Sequence, residues 1–156
     1  MIKKIRNHRG ELSEALGLVW RTFMEFEAVD YSNQGVQEFK SFISLPEISK
    51  KLENNELFIW GYYEKSKLLG VIAVREPFHI SLLFVDKAYH RQGIARRLYS
   101  KMIEDYSKNT NCQIVTVNSS PYAVEAYLKL GFTAAGTEKV INGIRFIPME
   151  RNLSDK

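Results

Sequence analysis

The chain is predicted to be an α/β fold built on a mixed sheet, and three observations carry that prediction. Apolar residues recur with helical spacing at Leu12, Ala15, Leu16, Val19, Phe23 and Phe26, and again at Ile94, Leu98, Met102 and Tyr106. Short runs rich in branched and aromatic residues, such as Leu57 to Tyr63 and Leu68 to Arg75, read as strands. A strand, helix, strand succession from His79 to Val117 reads as a parallel crossover, and the closely spaced strands before it read most simply as an antiparallel meander.

The elements follow in order. Ile2 and Ile5, among Lys3, Lys4 and Arg6, mark a first, edge-like strand. The first helix begins near Glu11. Asn33 is the candidate cap of a second helix carrying Val36, Phe39 and Ile43, and Pro46 opens a third that ends near Asn54-Asn55. Two strands then flank the polar turn Glu64-Lys65-Ser66-Lys67, and Pro77 separates them from an apolar run, Ile80 to Val85. After the central helix, Cys112 to Val117 is a strand. Ser120 and Pro121 start the next helix as N-cap and first helical residue, with Ala123, Tyr127 and Leu130 on one face and Gly131 as its stop. Asn142-Gly143 is a hairpin turn between Thr133 to Val140 and Ile144 to Arg151. Pro148 places the last strand at an edge or a bulge.

The length of 156 residues suits one domain, expected over residues 1–152 with a short tail at 153–156. A net charge of +4 without a Lys/Arg block gives no nucleic-acid footprint, and Glu104 and Asp105 offset the basic residues of the central helix. One cysteine, Cys112, excludes a disulfide framework and a cysteine metal cluster. It has no neighbouring His or basic cluster to activate it. His8 and His90 lack ligand spacing, so no metal is expected. MIKKIR has no apolar core of signal-peptide length and no run approaches a membrane span, so a cytoplasmic protein is expected, with no membrane partner.

The chemistry concentrates in His79 to Met102. An apolar strand leads through His90-Arg91-Gln92-Gly93-Ile94-Ala95 into a helix. Such a helix directs unpaired N–H groups and the positive end of its dipole at the loop, which suits a phosphate-like anion. Gly93, lacking a Cβ, allows close main-chain approach, and Arg91 and Arg96 add charge. A second pattern, VNSSPYAVEAYLKLGF at Val117 to Phe132, lies downstream. A GxGxxG or GK[ST] nucleotide signature is absent from the sequence.

These two stretches resemble the paired motifs of the GNAT superfamily, the acyl-CoA-dependent N-acyltransferases. Gly93 and Ala95 match the loop pattern, with His90 where the family usually has Gln or Arg. Ala123, Tyr127, Gly131 and Phe132 match the second. Its customary Asn position holds Ser120, and Asn118 lies two residues earlier. The element order resembles the GNAT fold over nearly the whole chain. The resemblance implies acetyl-CoA as co-substrate, held by main-chain amides of Leu83, Phe84 and Val85 along the arm and thioester. It implies that the amides of Arg91, Gln92, Gly93, Ile94, Ala95 and Arg96 take the diphosphate, with Asn118 as a further contact. Tyr127 matches the tyrosine that protonates the departing thiolate, and His79 stands where many members carry the base. Glu27 and Tyr31, in the acidic and aromatic stretch FMEFEAVDYS, border the expected acceptor pocket.

The expected activity is therefore acetyl transfer from acetyl-CoA to a primary amine by direct attack in a ternary complex. A non-catalytic acyl-CoA-binding or regulatory domain of the same fold is the alternative. The C-terminal hairpin offers an edge through which two copies could pair as a homodimer. The sequence does not select the amine.

Overall fold

A computed structural model describes residues 1–154. Its strands are β1 (Ile2–Lys4), β2 (Leu57–Glu64), β3 (Lys67–Arg75), β4 (His79–Val85), β5 (Ile114–Ser119), β6 (Thr133–Ala134), β7 (Lys139–Ile141) and β8 (Ile144–Asn152). Its helices are α1 (Arg9–Phe26), α2 (Asn33–Phe42), α3 (Leu45–Glu53), α4 (Ile94–Tyr106) and α5 (Val124–Lys129). The sheet runs β1-β2-β3-β4-β5-β8-β6, with β7 also paired to β8. β4 and β5 form its parallel pair; the other pairs are antiparallel. This is the mixed sheet with one crossover that the sequence predicts.

Both faces of the sheet are covered, because β3 is apolar on both. Val71 and Ala73 face a core shared with Leu12, Val19 and Phe23 of α1. Ile72 and Val74 face a second core with Leu98 and Met102 of α4 and with Tyr127 and Phe132. A strand sandwiched in this way loses the alternation of a half-exposed strand and reads as a continuous apolar run.

The feature that positions the site is a bulge. Ala73 pairs with Leu82 but Val74 pairs with Ile80, so Ser81 is an extra residue on β4. A bulge bends its strand and ends regular pairing. β4 pairs with β5 only at His79–Thr116 and Ile80–Val117. Beyond Ile80 the two strands part and leave a wedge through the sheet.

Four local expectations are corrected. The second helix is capped by Ser32, whose hydroxyl accepts from Gly35 N–H at 3.2 Å, and Asn33 is its first residue. The strand expected from Cys112 begins at Ile114. The strand expected over Thr133 to Val140 is two pieces, β6 and β7, broken around Gly136. Pro148 lies inside the sheet, opposite Asn118 of β5, in a strand that also pairs with β6. Its carbonyl accepts from Ala135 N–H (2.8 Å), so its missing donor faces β6 where that strand ends, and no ladder bond to β5 is lost. The hairpin turn is as expected, with Asn142 and Gly143 both left-handed at φ 53° and 80°. Leu153 of the expected tail donates to the Gln113 carbonyl at 2.7 Å; residues 155–156 lie outside the described part.

Candidate functional site

The open edge of β4 supplies the first wall. Asp86 N–H donates to Leu69 O (2.8 Å) on β3. Bonding direction alternates along an antiparallel strand, so Phe84 and Leu82 also turn their amides to β3, and Leu83 and Val85 turn theirs into the wedge. Of the three amides expected from the sequence, Phe84 is therefore spent in the sheet. Its side chain still lines the cleft.

Past β4 the chain turns through His90 to Gly93. Arg91 and Gly93 are both left-handed, at φ 64° and 79°. The left-handed region suits glycine; Arg91 adopts it at a steric cost of about 1–2 kcal/mol. The first bond into α4 runs from Arg97 N–H to the Gly93 carbonyl, 3.1 Å. The preceding amides of Ile94, Ala95 and Arg96 have no acceptor in the helix. A methyl group built on Gly93 would meet nothing within 4 Å, so the space beside Gly93, where the helix begins, is open. The Arg96 side chain does not face the loop: its guanidinium donates to the Lys129 carbonyl at 2.9 Å, tying α4 to the end of α5.

Deeper in the wedge is a cleft of about 70 Å³. Ser81, Leu83 and Phe84 form one side, Asn118, Ser120, Ala123 and Tyr127 another, and Glu27, Tyr31 and Phe39 a third. Glu27 comes from the face covered by α1, and Tyr127 from the core on the α4 face. Groups on opposite faces of a sheet normally cannot meet; the gap between β4 and β5 lets them. Ser81 Oγ is buried and finds no hydrogen-bond partner among the described residues. A larger depression of about 350 Å³ between α1, α2 and α3, lined by Leu16, Trp20 and Ile43, holds none of the motif residues.

The electrostatics set Glu27 apart. Burial, followed by the charge of Asp30, pushes its carboxyl up to about 7, with the Ser120 hydroxyl opposing the shift. Burial is also the main cause that raises Tyr127 and Tyr31, with Glu27 adding to both, so both phenols stay protonated. Asp30 is engaged by Arg145 (3.4 Å), which also pairs with Glu138 (3.1 Å). Ser32 N–H donates to the Gly143 carbonyl (3.2 Å). The segment after α1 is thus fastened to the β7–β8 turn, and a Cβ on Gly35 would overlap that carbonyl.

His79 is not brought to this cleft. It lies at the closed end of the wedge, paired with Thr116 across β5, with Nδ1 2.8 Å from the Thr116 hydroxyl. Burial, then the charge of Arg75, lowers its pKa to about 4. Sequence reasoning missed the meeting of Glu27, Ser120 and Tyr127. The available signal was Ser120, which holds the Asn position of the second motif.

Among the described residues no helix is long and apolar enough to cross a membrane, and no group of three His, Cys, Asp or Glu is placed to hold a metal ion.

Known proteins share both the fold and part of the sequence. A computed structural alignment with a GCN5-related N-acetyltransferase from Rhodopseudomonas palustris gives a TM-score of 0.81 at 17% identity, covering 98% of this chain and 95% of that one. PaiA N-acetyltransferase from Thermoplasma acidophilum, solved in complex with coenzyme A, gives 0.77 at 16% identity, covering 97% and 98%. In sequence, the UPF0157 protein YqkA of Bacillus subtilis (strain 168) is 30% identical over 114 residues, 69% of this chain. The chain spans about a third of that relative's length, 33%. The family model for the acetyltransferase (GNAT) domain matches residues 27–153, which takes in Glu27, the Gly93 loop and Tyr127. The chain belongs to the GNAT acetyltransferase family, whose domains carry out acyl transfer.

Proposed function

We propose that this chain is an N-acetyltransferase that moves an acetyl group from acetyl-CoA to a primary amine by direct attack. The observation that carries the reading is the meeting of Glu27 and Tyr127 in one cleft at the end of the open β4 edge. The residues fit the coenzyme. The amides of Ile94 to Arg96, with open space at Gly93, suit a diphosphate. The free amides of Leu83 and Val85 suit an arm that contains amides of its own.

Acetyl-CoA supplies a thioester that is already activated, so the protein must position an amine and manage protons. In this reading Glu27 takes the base role expected of His79. Its pKa near 7 lets it be half ionised at neutral pH and accept a proton from an ammonium nucleophile. The amine nitrogen then attacks the carbonyl carbon, whose developing oxyanion is held by a Leu83 or Val85 amide. As the C–S bond breaks, Tyr127 gives its proton to the sulfur, and the phenolate takes up the extra proton that the attacking nitrogen sheds as it becomes an amide. Burial of the phenol keeps its own proton in place until the bond breaks. Tyr31 and Phe39 bound the acceptor end, and the ionised carboxylate of Glu27 draws a cation to it.

The test is free thiol release from acetyl-CoA across a panel of primary amines, with wild type and Tyr127→Phe. Release that depends on amine and on Tyr127 supports the reading. Coenzyme A binding with no release for any amine supports the non-catalytic alternative.

A further inference from the structure

Three aromatic rings join the lips of the wedge, and the chemistry above uses none of them. Phe26, the last residue of α1, stacks on Tyr122 in the turn after β5, with centroids 5.0 Å apart and planes at 23°. His90, in the loop after β4, tilts onto Phe26 at 5.0 Å and 38°. His90 Nε2 is 2.7 Å from the Val85 carbonyl, so that nitrogen carries a proton and donates it. Val85 is one of the two residues whose main-chain groups face the wedge. The cluster therefore links the end of β4, the end of β5 and the end of α1, between the Gly93 loop and the Glu27–Tyr127 cleft. Tyr122 is 49% exposed, so core packing does not explain its place.

We propose that Phe26, Tyr122 and His90 form a clasp over the mouth of the wedge that opens to admit the arm of the coenzyme and closes upon it. The inference rests on the coenzyme reading above. An arm amide arriving at the Val85 carbonyl competes there with His90, and where it takes that place the imidazole is freed. The freed rings then offer flat apolar faces to the arm's methylene and methyl groups. Because Glu27 follows Phe26 in the chain, closure on the arm also fixes the carboxylate beside the thioester. These are positioning residues; none of them touches the reacting atoms.

The experiment is calorimetric binding of two probes: coenzyme A, and adenosine 3′,5′-bisphosphate, which has the nucleotide end and no arm. Tyr122→Ala and Phe26→Leu are compared with wild type. The clasp predicts that coenzyme A binding weakens about five- to tenfold in each variant, while the bisphosphate binds within about twofold of wild type, which also reports that the variants are folded. Equal weakening for both probes, or unchanged coenzyme A binding in both variants, overturns the clasp. Failure of wild type to bind either probe overturns the coenzyme reading itself, a different outcome.

Discussion

The two ends of the wedge are built by different means. At the Gly93 end, what is offered is main chain: the amides of Ile94 to Arg96 and of Leu83 and Val85, with open space beside Gly93. At the Glu27 end, what is offered is side chains: one carboxyl and two phenols, delivered from opposite faces of the sheet. Recognition by main chain constrains backbone shape, so it leaves a compact trace in sequence as a glycine at a fixed offset from a helix. Recognition by side chains needs only that residues converge in space, and residues separated by a hundred positions can do that without a local pattern.

This contrast yields predictions, largest first. Tyr127→Phe should lower turnover by about 10²–10⁴-fold, measured as thiol release, with coenzyme A affinity preserved because the ring still packs on Phe132. A near-wild-type rate would remove Tyr127 as the acid. Glu27→Gln should abolish the acidic limb of the kcat/KM profile. In wild type the rate should fall as pH drops below about 7, where Glu27 gains its proton. The same raised pKa makes Glu27 cost stability as pH rises from the unfolded value through 7. The glutamine variant should therefore melt higher than wild type at pH 8 while working more slowly, and an equal or lower melting temperature would contradict the burial of that charge.

The main-chain end can be probed by paired substitutions. Gly93→Ala places a methyl group in the open space and an alanine at φ 79°, so binding of coenzyme A should weaken by roughly tenfold or more, given a backbone cost of about 1–2 kcal/mol. Arg96→Ala should change it by less than about threefold, since that guanidinium is turned to the Lys129 carbonyl and what is lost is an exposed hydrogen bond and its surface charge. The reverse order of effects would mean that side-chain charge holds the diphosphate. The smallest effect on catalysis belongs to His79→Gln. His79 is lowered to about 4 in the fold, so it withholds a proton that the unfolded chain binds, and wild type loses stability as pH falls from about 6.5 through 4. The variant should lose less over that range, and its acidic rate limb near 7 should persist.

The same contrast explains what could be read from the residues. The element order, the Asn142-Gly143 turn and the Gly93 loop were legible because each is a local rule written in adjacent positions. Tyr127 was legible as one position of the motif from Val117 to Phe132, and the structure places it in the cleft beside Glu27. His79 is in the right strand for a base, but the bulge at Ser81 opens β4 only beyond it, and a one-residue bulge in an apolar run has no sequence signature. Pro148 was assigned to an edge or a bulge by its missing donor; which neighbour that donor would have faced depends on where β6 ends, a tertiary fact. Glu27 was flagged for its charge beside an aromatic, yet its approach to Tyr127 needs the gap between β4 and β5, which only the folded sheet contains.

The measurement closest to the central claim is a titration of ¹⁵N-labelled protein with coenzyme A, followed through backbone amide shifts. The account predicts the largest changes at Ile94, Ala95 and Arg96 and at Leu83 and Val85, with Phe84 moving less than both of its neighbours. Saturable binding that leaves those amides still and shifts residues elsewhere would contradict it.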